Sequence, residues 1–254
     1  LKDEKDSLII LGLDPKNVQQ AKICTDLSQL SEGIIGGKPN LKFYQDEWGR
    51  NALLQISNNL KKNSLIDLLD AKSSDGANTN DAEFTSYAPH YSYFTIAPAD
   101  GGIESTIRKA TSHEIETISM GVMSFPAVLR EIAKGYNLFQ DRIDRAIKAG
   151  TSGFVMGGTA YIPANKFEET LKETLQDYRT NKDDPITLDE MSDAELTGAL
   201  HLRNEFFKYV VEKTKDLDIV FLVPGLEGRQ QGKIDFFLSS NIPLEKCTIN
   251  AGSH

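Results

Sequence analysis

The strongest constraint in this sequence is an alternation. Short aliphatic or β-branched runs recur along the chain, each followed by a longer stretch with helical periodicity. The runs are Leu8–Leu13, Gly33–Gly37, Ser64–Leu69, Tyr93–Ala97, Thr117–Val122, Gly153–Met156, Ile219–Val223 and Thr248–Asn250. Amphipathic segments between them include Trp48–Leu60, Phe139–Ala149, Lys166–Tyr178 and Leu200–Lys215, with apolar residues near i, i+3 and i+4. Gly and Pro punctuate the ends of the runs, at Asp14-Pro15, Lys38-Pro39, Pro98, Gly157-Gly158 and Pro224-Gly225. Such alternation predicts an α/β fold with a parallel sheet. Eight βα units in 254 residues predict one (β/α)8 barrel domain over residues 1–254, since such barrels typically take about 250 residues. An open Rossmann-like sheet is the alternative, but no Gly-x-Gly-x-x-Gly follows the first run.

Charge narrows the partners. Lys and Arg number 28 against 37 Asp and Glu, a net charge of −9. An acidic chain is a poor coat for a nucleic-acid backbone, so no nucleic-acid partner is expected, while a local basic pocket for one phosphate remains compatible. The longest apolar runs fall well short of the ~18 residues that cross a bilayer, and no membrane partner is expected. Cys24 and Cys247 lie far apart without metal-ligand spacing and read as small apolar residues of a reducing, cytoplasmic setting. Residues 177–197 are polar and acidic and read as a surface insertion between the sixth and seventh units. His90, His113 and His201 are scattered and read as surface or helix residues.

In a barrel the chemistry collects at the C-terminal ends of the strands. Those positions hold Asp14, Lys38, Asp70 with Lys72, Asp100, Ser124, Thr159, Pro224 with Gln230, and Asn250 with Ser253. A charge that directly follows an apolar strand costs several kcal/mol if buried unpaired, so these groups should pair with each other or with a ligand. Residues 68–79 hold the densest group. Asp70 and Lys72 are two apart and share a strand face; Asp75 lies beyond the next turn; Lys38 closes the neighbouring strand. The expected array alternates Lys, Asp, Lys, Asp with almost no net charge. A structural ion-pair network is the plainer reading of the same residues.

The stretch Asp-Ala-Lys-Ser-Ser-Asp at 70–75 resembles the Asp-x-Lys-x-x-Asp signature of orotidine 5′-monophosphate decarboxylases. Further segments agree in chain order: Gly12-Leu13-Asp14-Pro15, Lys38-Pro39-Asn40, Gly101-Gly102, Met123-Ser124-Phe125-Pro126, Val223-Pro224-Gly225 with its Gln-rich loop, and Ile249-Asn250-Ala251. The resemblance covers nearly the whole chain and is nearest to the longer bacterial and protozoan branch.

What the resemblance implies is a cofactor-free, metal-free decarboxylase that converts orotidine 5′-phosphate to UMP. Lys72 would stabilise charge at C6 of the pyrimidine and protonate it, and Asp70, held by Lys38, would lie against the departing carboxylate. Asp75 and Thr79 would reach the active site of a partner subunit in a homodimer. Asp14 would bind a ribose hydroxyl, Ser124 the pyrimidine ring, Gln230 would help clamp the phosphate, and Pro224 and Ser253 would also bind substrate. The sequence departs from the family in three places. Ser73 stands where the signature usually has Arg, the seventh-strand loop is one residue longer, and the usual phosphate-gripping Arg is either absent after Asn250-Ala251-Gly252 or displaced beyond His254. Arg229 is the candidate substitute. Two other functions fit the same residues: a magnesium-dependent sugar-phosphate decarboxylase or aldolase of the same superfamily, and a catalytically silent nucleotide-binding protein.

Overall fold

The computed structural model describes residues 8–15, 17–29, 34–97, 102–122, 127–157, 191–227 and 233–239, with 172 and 176. Seven strands curl into a parallel sheet in chain order: β1 (Leu8–Leu13), β2 (Gly36–Pro39), β3 (Ile66–Ser73), β4 (Tyr93–Ile96), β5 (Glu116–Val122), β6 (Gly153–Met156) and β7 (Val220–Glu227). Each pairs in parallel with the next. Helices α1 (Val18–Leu27), α2 (Glu47–Lys62), α3 (Ala77–Tyr87), α4 (Ile103–Ser112), α5 (Ala127–Ala149) and α6 (Asp193–Thr214) lie between them.

The ring closes differently from the expectation. β8 (Lys233–Ser239) runs antiparallel to both β7 and β1. Only residues 228–232 separate β7 from β8. That link is too short for the dozen or more residues a parallel crossover needs, so the two strands form a hairpin. The eighth expected strand, Thr248–Asn250, lies outside the described residues.

Other boundaries shift for local reasons. β2 and β3 run further than their apolar runs, through Lys38 and Lys72, because the charged residues at their ends have partners. α6 begins at Asp193, inside the stretch read as an acidic insertion. Ser192 and Glu195 form a capping box there: Ser192 Oγ accepts from Glu195 N–H, and Glu195 Oε2 accepts from Ser192 N–H at 2.8 Å. Residues 177–190 lie outside the described residues. α5 begins at Ala127, well before Phe139, and is bent at Gly135, whose φ of −145° and ψ of 39° break the helical path.

Strand alternation separates two apolar layers. Ile10, Leu68, Ile118, Val155 and Leu222, from five strands, pack together inside the ring. Leu13, Leu69, Phe94, Ile96, Phe154 and Phe221 face outward and pack with helix residues such as Leu53, Ile56, Ile107 and Phe206. This parity decides where polar side chains go. Asp70 shares the inner face with Leu68, Lys38 with Gly36, and Thr95 with Tyr93.

Candidate active site

At the C-terminal ends of β2, β3 and β4, three strands converge on one carboxylate. Asp70 is 8 % exposed at its side chain, and its Oδ2 accepts from Lys38 Nζ at 3.1 Å and from Lys72 Nζ at 2.6 Å. Its other oxygen, Oδ1, accepts from the Thr95 hydroxyl at 2.7 Å. Burial alone would push the Asp70 carboxyl up; Lys38 and Lys72 beside it, with the Thr95 hydrogen bond, outweigh burial and hold it at about 2. Asp70 is therefore an anion at any pH near neutrality.

The two lysines differ in exposure. Lys38 is buried at 8 %, whereas the Lys72 side chain is 29 % exposed, at the rim of the cluster. The Lys72 ammonium, part-exposed beside this buried anion, is the charge within reach of an anionic group at the rim.

Backbone shape sets the position of Lys72. Along β3 and β4 the pairing passes from Leu69–Phe94 to Ser73–Ile96, so that four steps on β3 match two on β4. The extra length forms a bulge. Lys72 sits in it at φ +48°, in the left-handed region that side-chain-bearing residues avoid. Its N–H donates to Thr95 Oγ1 at 2.9 Å. Just beyond, Ser73 is hydrogen-bonded to Glu83 of α3, and its carbonyl accepts from Ala97 N–H at 2.9 Å.

Asp14, at the end of β1, is half-buried and accepts from Asn40 N–H at 3.2 Å; Asn40 forms an isolated bridge with Asp70. The Tyr44 hydroxyl donates to the Leu13 carbonyl at 2.6 Å and anchors the same end of β1. The structure thus brings Lys38, Asp70 and Lys72 into direct contact and ties Asp14 to the next strand.

Asp75 and Thr79 do not join this cluster. Both are exposed, Asp75 just before α3 and Thr79 on its first turn. Asp75 Oδ1 accepts from Gly76 N–H at 2.7 Å, and no ion pair links it to Lys72 among the described residues. Pro224 lies on β7. Asp100, Ser124, Thr159, Arg229, Gln230, Asn250 and Ser253 lie outside the described residues. The residue that a search of strand ends misses is Thr95, one position inside β4; its signal is a lone polar residue at an inward-facing step of Tyr93-Phe94-Thr95-Ile96.

Among the described residues no group of three His, Cys, Asp or Glu is placed to hold a metal ion, and no helix is long and apolar enough to cross a membrane.

No protein-family model and no curated protein matches the chain. Its fold is similar to that of several solved structures. An orotidine monophosphate decarboxylase from Leishmania donovani aligns at 21 % identity and TM-score 0.50, covering 77 % of this chain and 94 % of that one. The Leishmania donovani UMP synthase aligns at 20 % identity and TM-score 0.50, over 84 % of this chain and 57 % of that one. The Methanocaldococcus jannaschii orotidine 5′-monophosphate decarboxylase, complexed with the inhibitor BMP, aligns at 13 % identity and TM-score 0.50, over 79 % and 100 %. The chain shares the fold of these enzymes.

Proposed function

We propose that the chain is an orotidine 5′-phosphate decarboxylase, converting its substrate to UMP and CO2 without a cofactor in cytoplasmic pyrimidine biosynthesis. The observation that carries this reading is the contact of Lys38 and Lys72 with the buried Asp70 at the strand ends. The shared fold, and the binding of the inhibitor BMP by the M. jannaschii enzyme, support a small-molecule ligand. A homodimer with shared sites belongs to the same proposal.

The chemistry follows from the geometry. The bond from C6 to the carboxylate carbon breaks with its electron pair left on C6, and CO2 departs. That carbanion has no ready resonance stabilisation, so fixed charge must meet it. Lys72, at the exposed rim, supplies an ammonium there and then gives C6 a proton, recovering one from solvent. Asp70 sits against the substrate carboxylate, and Lys38 and Thr95 keep it in place. Asp14 takes a ribose hydroxyl. Ser124 takes the pyrimidine, while Pro224, Gln230, Arg229 and Ser253 take the phosphate end. Asp75 and Thr79, exposed on one edge, reach the partner's site.

The test is the fall in orotidine absorbance when purified protein meets orotidine 5′-phosphate, with and without EDTA. Turnover unaffected by EDTA is expected. Activity lost with EDTA points instead to the magnesium-dependent relatives, and binding without CO2 release to a silent protein. Lys72→Ala should abolish turnover with an unchanged far-UV spectrum; a variant within about tenfold of the parent overturns the role of Lys72.

A further inference from the structure

We infer that Thr95 is a positioning residue: its single hydroxyl fixes both the carboxylate of Asp70 and the backbone bulge that aims Lys72. The inference rests on the decarboxylase reading for its kinetic arm and on geometry alone for its second arm.

Thr95 Oγ1 lies 2.9 Å from the Lys72 nitrogen and 2.7 Å from Asp70 Oδ1, with the residue only 1 % exposed. A backbone N–H can only donate, so the hydroxyl accepts there and points its own proton at Asp70. The direction of both hydrogen bonds is therefore settled. One group joins the charge that holds the lysines to the backbone that carries one of them.

The division of the Asp70 oxygens matters as well. Both ammoniums share Oδ2, and Oδ1 meets Thr95. With Oδ1 restrained, the carboxylate cannot rotate to offer one oxygen to each lysine, and both Nζ atoms converge on a single point. Without the hydroxyl that rotation becomes free, and the lysines separate.

Lys72 depends on the same atom. Its φ of +48° belongs to a bulge that the β3–β4 pairing does not hold through regular ladder bonds; the register simply skips there. Left-handed backbone at a residue with a side chain costs about 1–3 kcal/mol and persists only where its surroundings over-determine it. The bond from Lys72 N–H to Thr95 supplies that restraint on one side. The Ser73 contacts with Glu83 and Ala97 supply it on the other. Removing the Thr95 hydroxyl leaves a part-buried donor without this partner and lets the bulge relax, which displaces Nζ.

The experiment compares Thr95→Val, which keeps the shape and loses the hydroxyl, with Thr95→Ser, which keeps the hydroxyl and loses a methyl. Both are made in the full chain. Thr95→Val should lower kcat by about a hundredfold, the scale of an ångström's misplacement, with KM for orotidine 5′-phosphate within about threefold of the parent. Thr95→Ser should restore kcat to within about tenfold of the parent. Equal losses in the two variants, or a full kcat in Thr95→Val, overturn the inference.

A second measurement does not require turnover. Lys72 is labelled with an amine-selective reagent, and its rate is read by mass spectrometry against the exposed Lys61 and Lys62. Thr95→Val should change the Lys72 rate while Lys61 and Lys62 keep theirs, and Thr95→Ser should not. An unchanged Lys72 rate in Thr95→Val overturns the inference. If the parent releases no CO2, the decarboxylase reading falls while the labelling still decides the role of Thr95. If Thr95→Val does not fold, Thr95→Ser against Thr95→Ala decides the same point by the same labelling.

Discussion

Asp70 concentrates the electrostatics of this protein in one side chain. Its carboxyl lies at about 2, below the ordinary 3.8, although burial opposes that shift. A depressed carboxyl stabilises the fold above the unfolded-state value and loses that contribution as pH falls through the folded one. The pH-dependent share is about 2 kcal/mol at neutrality. Urea unfolding of the parent and of Asp70→Asn should therefore show a stability gap that is constant above about pH 5 and narrows toward pH 2. A gap that does not change with pH would mean that the lysines do not hold the carboxylate. Lys38, Asp70 and Lys72 could be gathered from the sequence because charges next to apolar strands need partners, and two-residue spacing puts Asp70 and Lys72 on one face. Thr95 escaped the same logic because a neutral hydroxyl inside a strand carries no such penalty. Nor did the spacing disclose that Lys72 adopts a left-handed backbone, which depends on the register of the next strand.

At the scale of elements, two glycines make opposite predictions. A Cβ on Gly36 would lie 2.5 Å from the Ile66 carbonyl oxygen and 2.7 Å from Ile66 Cβ, where β2 meets β3. Gly36→Ala should push the two strands apart, lower stability by about 1–3 kcal/mol and weaken the Lys38–Asp70 contact two residues on. Thermal unfolding and turnover should fall together; loss of neither would show that the strands are not closely packed there. Gly198, in α6, is exposed, and a Cβ would meet nothing within 4 Å. Gly198→Ala should raise stability by about 0.5–1 kcal/mol through helix propensity alone, read from the urea midpoint. β1 and β6 begin and end where their apolar runs do, since Pro15 and Gly157 bound them. The start of α6 was legible too, in Ser192-x-x-Glu195, but the acidic composition around it suggested a loop. Composition describes solvent exposure, whereas the capping box describes backbone geometry, and here the geometry decided.

For the whole molecule, the parallel order of seven strands follows from the alternation of runs and helices, while the antiparallel β8 does not. Lys233–Ser239 has a polar residue in its middle, Asp235, and hairpin pairing with β7 became visible only in three dimensions. Under the proposed shared site, Asp75 and Thr79, both exposed at the start of α3, serve a neighbouring copy. Mixing Lys72→Ala with Asp75→Asn subunits should recover activity, because one hybrid site carries neither substitution. Confirmed mixed dimers without recovery would remove the shared site from the proposal.

Closure of the ring by β8 also bears on synthesis. β1 pairs on one side with β2 and on the other with residues 234–237, at the far end of the described chain. During translation, one border of β1 stays open until more than two hundred further residues have left the ribosome. Unpaired strand borders invite association with other chains. The nascent protein thus carries its greatest hazard of clumping in the interval before its last described strand emerges, when a chaperone would have most to shield.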